Sequence, residues 1–187
     1  MTEATRGTAT IADLMRIKDK AELINGYVVT QPPNGYWHAR LAMHIMMSLD
    51  QHIETLGVGE AFLGLLAYAL GDPLDSGRQS FSPDASYYAH SLPKDLWGPV
   101  PGPPTFAVET RTPEESNPAG DAEYAAKRKD YFYAGTLVVW DVDPVAGVVT
   151  KYAAADPLTP VVFTAGMVAD AEPAVPGWTL ATDTLFA

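Results

Sequence analysis

Apolar and polar positions along this chain change period several times, from helical three-and-four steps to strand-like alternation, and the pattern predicts a mixed α/β (α+β) protein. Ile11, Leu14, Met15 and Ile17 share one helical face behind Thr10, a residue suited to an N-cap, so a short amphipathic helix is expected there. The small, polar residues 1 to 9 before it are expected to be frayed or disordered. Asn25-Gly26 separates the apolar stretches Glu22-Leu-Ile and Tyr27-Val-Val, and because this dipeptide adopts positive φ easily it predicts a β-hairpin over 21 to 31. After Pro32-Pro33-Asn34-Gly35, the residues Leu41, His44, Ile45, Ser48, Leu49, His52 and Ile53 form one inward stripe of a long helix over 36 to 55.

Three strands are expected in the middle, over 60 to 70, 80 to 89 and 106 to 111, divided by Gly71-Asp72-Pro73 and by a proline-rich loop over 92 to 104. Asn117-Pro118 supplies a cap and first turn for a second helix, which passes Tyr124, Lys127, Arg128 and Tyr131 and stops at Gly135. The continuous apolar run over 137 to 142 suits a strand covered on both faces, with 148 to 152 as its hairpin partner. Short strands are expected in the last 35 residues. No repeat, low-complexity tract or linker divides the chain, so residues 1 to 187 read as one domain.

With 187 residues, 47% of them hydrophobic, such a domain fills its own core without covalent staples. The absence of cysteine removes disulfides, thiolate zinc sites and cysteine nucleophiles, and fits a reducing cytoplasm. No run reaches the length of a membrane span and no signal-peptide core follows the N-terminus, so a cytoplasmic protein with no membrane partner is expected. The formal charge of -11 weighs against tight grip on DNA, because phosphate contacts dominate such binding. Charge is local, however, and the run Lys127-Arg128-Lys129 can still meet a phosphate.

The candidate chemistry lies in that middle region. Asp84 follows Pro83 in one expected strand and Glu109 lies in the next, and neighbouring strands can bring two carboxylates to one point. Two hard oxygen donors at one point suit magnesium or manganese, which polarise a phosphodiester and acidify an attacking water. A lysine nearby then stabilises the developing phosphorane charge. Such a carboxylate pair equally describes ordinary strand-end charges. Lys127 shares a helix face with Glu123 and Tyr131, and the plain alternatives are an exposed Glu–Lys pair worth about 0.3 to 0.5 kcal/mol and a half-buried aromatic on the sheet.

In order, Glu22-Leu-Ile-Asn-Gly, Pro83-Asp84-Ala-Ser-Tyr-Tyr, Ala107-Val-Glu-Thr-Arg-Thr-Pro, and Lys127 followed by Tyr131 and Gly135-Thr-Leu-Val-Val-Trp-Asp-Val-Asp-Pro resemble the Uma family of restriction-endonuclease-like proteins. That family belongs to the PD-(D/E)xK nuclease superfamily, and the likeness covers nearly the whole chain. It implies a restriction-endonuclease-like core, a central mixed sheet flanked by helices with extra hairpins. It also implies that Asp84 and Glu109 bind Mg2+ or Mn2+, that Lys127 is the catalytic lysine moved to a helix, and that Glu22 is a further acidic site residue. The superfamily's usual lysine position, two after the second acid, holds Arg111, which stays protonated and is a poor base. Tyr27 stands where relatives often carry another acid, and His38 stands where the family often has a histidine.

His44 and His52 lie on the inward stripe with no third ligand at metal spacing, His90 falls in a loop, and no Walker loop, GxGxxG turn or nucleophile elbow occurs. Three functions remain open. The first is a magnesium-dependent endonuclease acting on DNA, expected by resemblance to pair as a homodimer, with Trp97 and its proline-rich loop as contact elements. The second is a catalytically silent scaffold on the same fold, which the net charge favours. The third is a hydrolase of smaller phosphodiesters.

Overall fold

The computed structural model describes residues 7–33 and 35–187. Thr10 caps α1 (Ile11–Leu14) in a reciprocal capping box with Asp13. The hairpin β1 (Ala21–Ile24) and β2 (Tyr27–Thr30) turns at Asn25 and Gly26, whose φ values of 53° and 72° are those its two-residue turn requires. Residues 7 to 9, expected to be frayed, are instead pinned to this turn: Gly7 and Ala9 donate to the carbonyls of Asn25 and Gly26 at 2.8 and 2.9 Å. The rest of that expectation, residues 1 to 6, lies outside the described residues. The helix α2 (Tyr36–Leu56) buries Leu41, Ile45 and Leu49 of the expected stripe together with Ala42, leaves His44, Ser48, His52 and Ile53 only partly buried, and ends at Gly57 in the left-handed conformation.

Two of the three expected middle strands are broken. In place of one strand over 60 to 70 the chain forms β3 (Glu60–Leu63), turns at Gly64-Leu65, and continues as β4 (Tyr68–Ala69) in a different sheet. In place of one over 80 to 89 it forms β5 (Ser80–Phe81) and β6 (Ala85–Tyr88), divided at Ser82-Pro83-Asp84, where proline has no N–H for a ladder. Next come β7 (Val100–Pro101), β8 (Phe106–Thr110), the helix α3 (Pro118–Ala134), and the hairpin of β9 (Val138–Asp143) and β10 (Val148–Ala153). The C-terminal part departs from the short strands expected, since β11 (Asp156–Phe163) is eight residues long; β12 (Val168–Asp170), β13 (Thr179–Ala181) and α4 (Thr182–Leu185) complete the chain.

The central six-stranded sheet has the order β11-β10-β9-β8-β6-β3, with β8 and β9 parallel and the other pairs antiparallel. Side chains alternate between its faces. Ala85, Tyr87, Phe106, Val108, Val138, Trp140 and Val142 point into a core closed by α2 and the C-terminal segment, where Trp140 and Trp178 pack 4.9 Å apart. Tyr88, Ala107 and Val139 point to the opposite face, joining Tyr131 of α3 and the small sheet β5-β4-β7. By the same parity Asp84, Glu109 and Asp141 belong to that second face. Among the described residues no helix is long and apolar enough to cross a membrane.

Candidate active site

β6 and β8 pair with Ala85 opposite Val108, so Asp84 enters the sheet beside the C-terminal end of β8. Its backbone N–H donates to the Val108 carbonyl at 2.9 Å, and its Oδ2 accepts from the Thr110 N–H at 2.7 Å. The carboxylate of Asp84 is thus fixed against the residue that follows Glu109. Oδ1 of Asp84 accepts from Lys20 Nζ, and His38 Nε2 stands 2.7 Å from the same oxygen, close but outside hydrogen-bond geometry. Burial pushes the Asp84 carboxyl upward, yet His38 and Lys20 overcome it and hold the group well below the usual carboxylate range.

α3 supplies the opposite wall. Asn117 caps its first turn by accepting from the N–H groups of Ala119 and Gly120, and Gly120 lets the helix sit against the preceding turn: a Cβ there would lie 2.0 Å from the Glu115 carbonyl oxygen. Steps of three and four residues then set Tyr124, Lys127 and Tyr131 toward the sheet. Lys127 Nζ contacts Glu109 Oε1 at 2.8 Å and Glu22 Oε1 at 3.0 Å, so the plain alternative of an exposed pair with Glu123 is not what forms. Tyr131 also departs from the half-buried aromatic expected. It is fully buried, stacks on Phe81 with ring centroids 4.1 Å apart, and its hydroxyl donates to Glu109 Oε1 at 2.6 Å.

The β1–β2 hairpin brings Glu22 to this wall from a third side. Its Oε1 accepts from the Ser82 N–H at 3.0 Å, its Oε2 from Arg78, and Arg78 Nε donates onward to Asp130 at 2.9 Å. Glu22 is buried, but Lys127 and Arg78 override the burial and lower its pKa to about 2. Glu109 shifts the other way. Burial raises it, Lys127 opposes, and the neighbouring charges of Asp84 and Glu22 raise it further. Lys127 is largely enclosed, which opposes its charge, but Glu109 and Glu22 hold its pKa above the ordinary lysine value, so the group is an ammonium and a donor.

The four residues singled out from sequence, Glu22, Asp84, Glu109 and Lys127, therefore line one cleft of about 340 Å³ together with Lys20 and His38. Lys20 and Arg78 escaped sequence reading because their partners lie 64 and 56 residues away and no local spacing announces them. Among the described residues, no group of three or more His, Asp or Glu is arranged to hold a metal ion, and Asp84, Glu22 and Glu109 are each turned onto an ammonium or guanidinium. The donor chemistry still fits a hard divalent cation. Asp84 and Glu109 are paired carboxylates whose mutual repulsion a cation would relieve, and the places now filled by ammonium groups are ones a cation can take. His52 packs structurally, with Nε2 2.9 Å from the Pro176 carbonyl.

The family model Uma2, described as "Putative restriction endonuclease", matches residues 11–183. No curated protein matches the chain. A crystal structure described as that of "a putative nuclease belonging to DUF820 from Anabaena variabilis ATCC 29413" superposes with a TM-score of 0.70 at 19% identity, over 95% of this chain and 97% of that one. At that identity the likeness speaks to fold: a mixed sheet with few helices, of the restriction-endonuclease-like kind.

Proposed function

The chain belongs to the Uma2 family, and on that premise we propose that it is a divalent-metal-dependent endonuclease that hydrolyses DNA phosphodiester bonds at the Asp84–Glu109–Lys127 cleft. The observation that carries the reading is the convergence of Asp84, Glu109 and Lys127, from two neighbouring strands and the helix facing them, on one cleft. Asp84 and Glu109 would hold Mg2+ or Mn2+, which when bound supplies Lewis-acid polarisation of the phosphodiester and a more acidic water. The chain's own residues do the rest. The Thr110 N–H and the Tyr131 hydroxyl hold the two carboxylates in place. Glu22 keeps Lys127 charged and extended toward Glu109, where its ammonium can donate to a phosphoryl oxygen as negative charge develops.

The charge of -11 is less of an obstacle at this site than over the whole chain. At its floor three carboxylates, Glu22, Asp84 and Glu109, are paired with three cations, Lys20, Arg78 and Lys127, and a divalent ion would offset the two further carboxylates of the lining, Glu115 and Glu123. Pairing of two copies would let both strands be cut, and Trp97, 95% exposed on its proline-rich loop, is the contact element we assign to it. In this reading the protein works on DNA in the cytoplasm.

A silent scaffold is the second reading, favoured by the acidic chain and by carboxylates already satisfied by cations. Supercoiled plasmid incubated with Mg2+ or Mn2+ separates the two. Nicking by native protein that disappears in both Asp84→Ala and Lys127→Ala supports the nuclease; identical behaviour of all three at several salt concentrations leaves the scaffold.

A further inference from the structure

Lys20 sits one residue before β1, at the open end of the hairpin, where its carbonyl accepts from the Gln31 N–H at 2.8 Å. Its side chain is buried and its ammonium rests on Asp84 Oδ1. The pair lies at the junction of two cavities, the cleft of about 340 Å³ and a neighbouring one of about 580 Å³, and both Lys20 and Asp84 line each of them. Burying such a pair gains little stability, because removing both charges from water offsets their attraction.

The two lysines of the site are anchored differently. Lys127 has two carboxylate partners, Glu22 and Glu109, and keeps one if the other is taken. Among the described residues Lys20 has an ion pair with Asp84 alone. Asp84 Oδ2 is committed to the Thr110 N–H, so Oδ1 is the oxygen open to exchange, and Lys20 occupies it with His38 Nε2 2.7 Å away on the same oxygen. Resting on the metal-dependent reading above, we propose that Lys20 is a resident counter-ion of Asp84: it holds Oδ1 until a divalent cation displaces it. Repelled from there, its flexible four-carbon stem keeps the ammonium at the junction of the two cavities, where it positions a substrate phosphate. Lys20 therefore lowers metal affinity in the free protein and raises affinity for the phosphodiester once metal is bound.

The test is Mn2+ binding, followed by the electron paramagnetic resonance signal of free Mn2+, in native protein, Lys20→Met, Lys20→Gln and Asp84→Asn. The native protein binds through Asp84, and both Lys20 variants bind Mn2+ about tenfold more tightly because a competing cation is gone. Lys20→Gln keeps a donor for Oδ1, so it serves should Lys20→Met fold poorly. In Ca2+, fluorescence anisotropy of a labelled DNA oligonucleotide shows weaker binding to both variants. If native protein binds Mn2+ through Asp84 while neither variant binds more tightly, the inference falls and the metal-dependent reading stands. Native protein that takes up no Mn2+ overturns both.

Discussion

Arg111 grips Asp141 with two parallel hydrogen bonds, Nε to Oδ1 and Nη2 to Oδ2, both 2.7 Å long. Register places Asp141 directly beside Glu109 on the neighbouring parallel strand, so the basic residue two positions after Glu109 is turned along the sheet rather than into the cleft. Asp121 and the ring of Tyr124, 4.7 Å from the guanidinium carbon, hold it there. On the proposed reading this is a physical reason for a lysine on α3 to serve the cleft: the strand position is occupied by a fork-shaped group bound to a carboxylate, and α3 faces Glu109 from across the cavity.

Replacing Arg111 therefore weakens the fold before it touches chemistry. Arg111→Ala leaves Asp141 buried with only Arg128, 3.2 Å away, for compensation. Urea unfolding should show a loss of about 2 to 3 kcal/mol, somewhat below that of a fully orphaned buried partner. Arg111→Lys, which cannot make the paired bonds, should lose a smaller amount and should not rescue plasmid nicking in a Lys127→Ala background.

Tyr131→Phe tests how far Glu109 depends on its donor. The ring keeps its stack on Phe81, and the hydroxyl that donates to Glu109 Oε1 is removed. The expected cost is about 1 to 2 kcal/mol in chemical denaturation, as for a buried acceptor that loses one of two donors. Nicking should fall further than that stability loss accounts for. An unchanged rate would show that Lys127 alone sets the position of Glu109.

Acid should act on Glu22. Its pKa in the folded chain, about 2, lies below the ordinary 4.5, so ionised Glu22 stabilises the native state fully above the ordinary value. That contribution is lost as pH falls through the interval toward 2. In thermal melts the gap between native protein and Glu22→Gln should be widest above pH 5 and should close toward pH 2. A gap independent of pH would mean that the Arg78 and Lys127 contacts do not depend on the carboxylate charge.

Gly120→Ala tests the packing that sets the height of α3. In an exposed helix interior this change gains close to 1 kcal/mol. Here the new methyl would meet the Glu115 carbonyl oxygen at 2.0 Å, and backbone cannot swing aside as a side chain can. A loss of about 1 to 3 kcal/mol is expected in urea titration. Lys127 and Tyr131, carried on the same helix, should lose their hold on Glu109, and activity should drop with stability.

What this sequence determined by itself is local. Asn25-Gly26 specifies a turn, Asn117 and Gly135 bound a helix, and the stripe of Leu41, Ile45 and Leu49 specifies a buried face, each within a window of a few residues. The ordered motifs around Glu22, Asp84, Glu109 and Lys127 likewise marked residues that line one cleft. The break at Gly64 was not legible, because Leu63, Leu65 and Leu66 carry the apolar run across it and only the choice between two sheets decides where the strand ends; at Pro83 the missing N–H is readable, but the passage from one sheet to another is not. The counter-ions were not legible either. Lys20 meets Asp84, Arg78 meets Glu22 and Arg111 meets Asp141 across 64, 56 and 30 residues, and a charge carries no mark of its partner until strand pairing brings the two together. Tyr131 shows the same division: its helix was readable, but its burial against Glu109 depended on how α3 lies across the sheet.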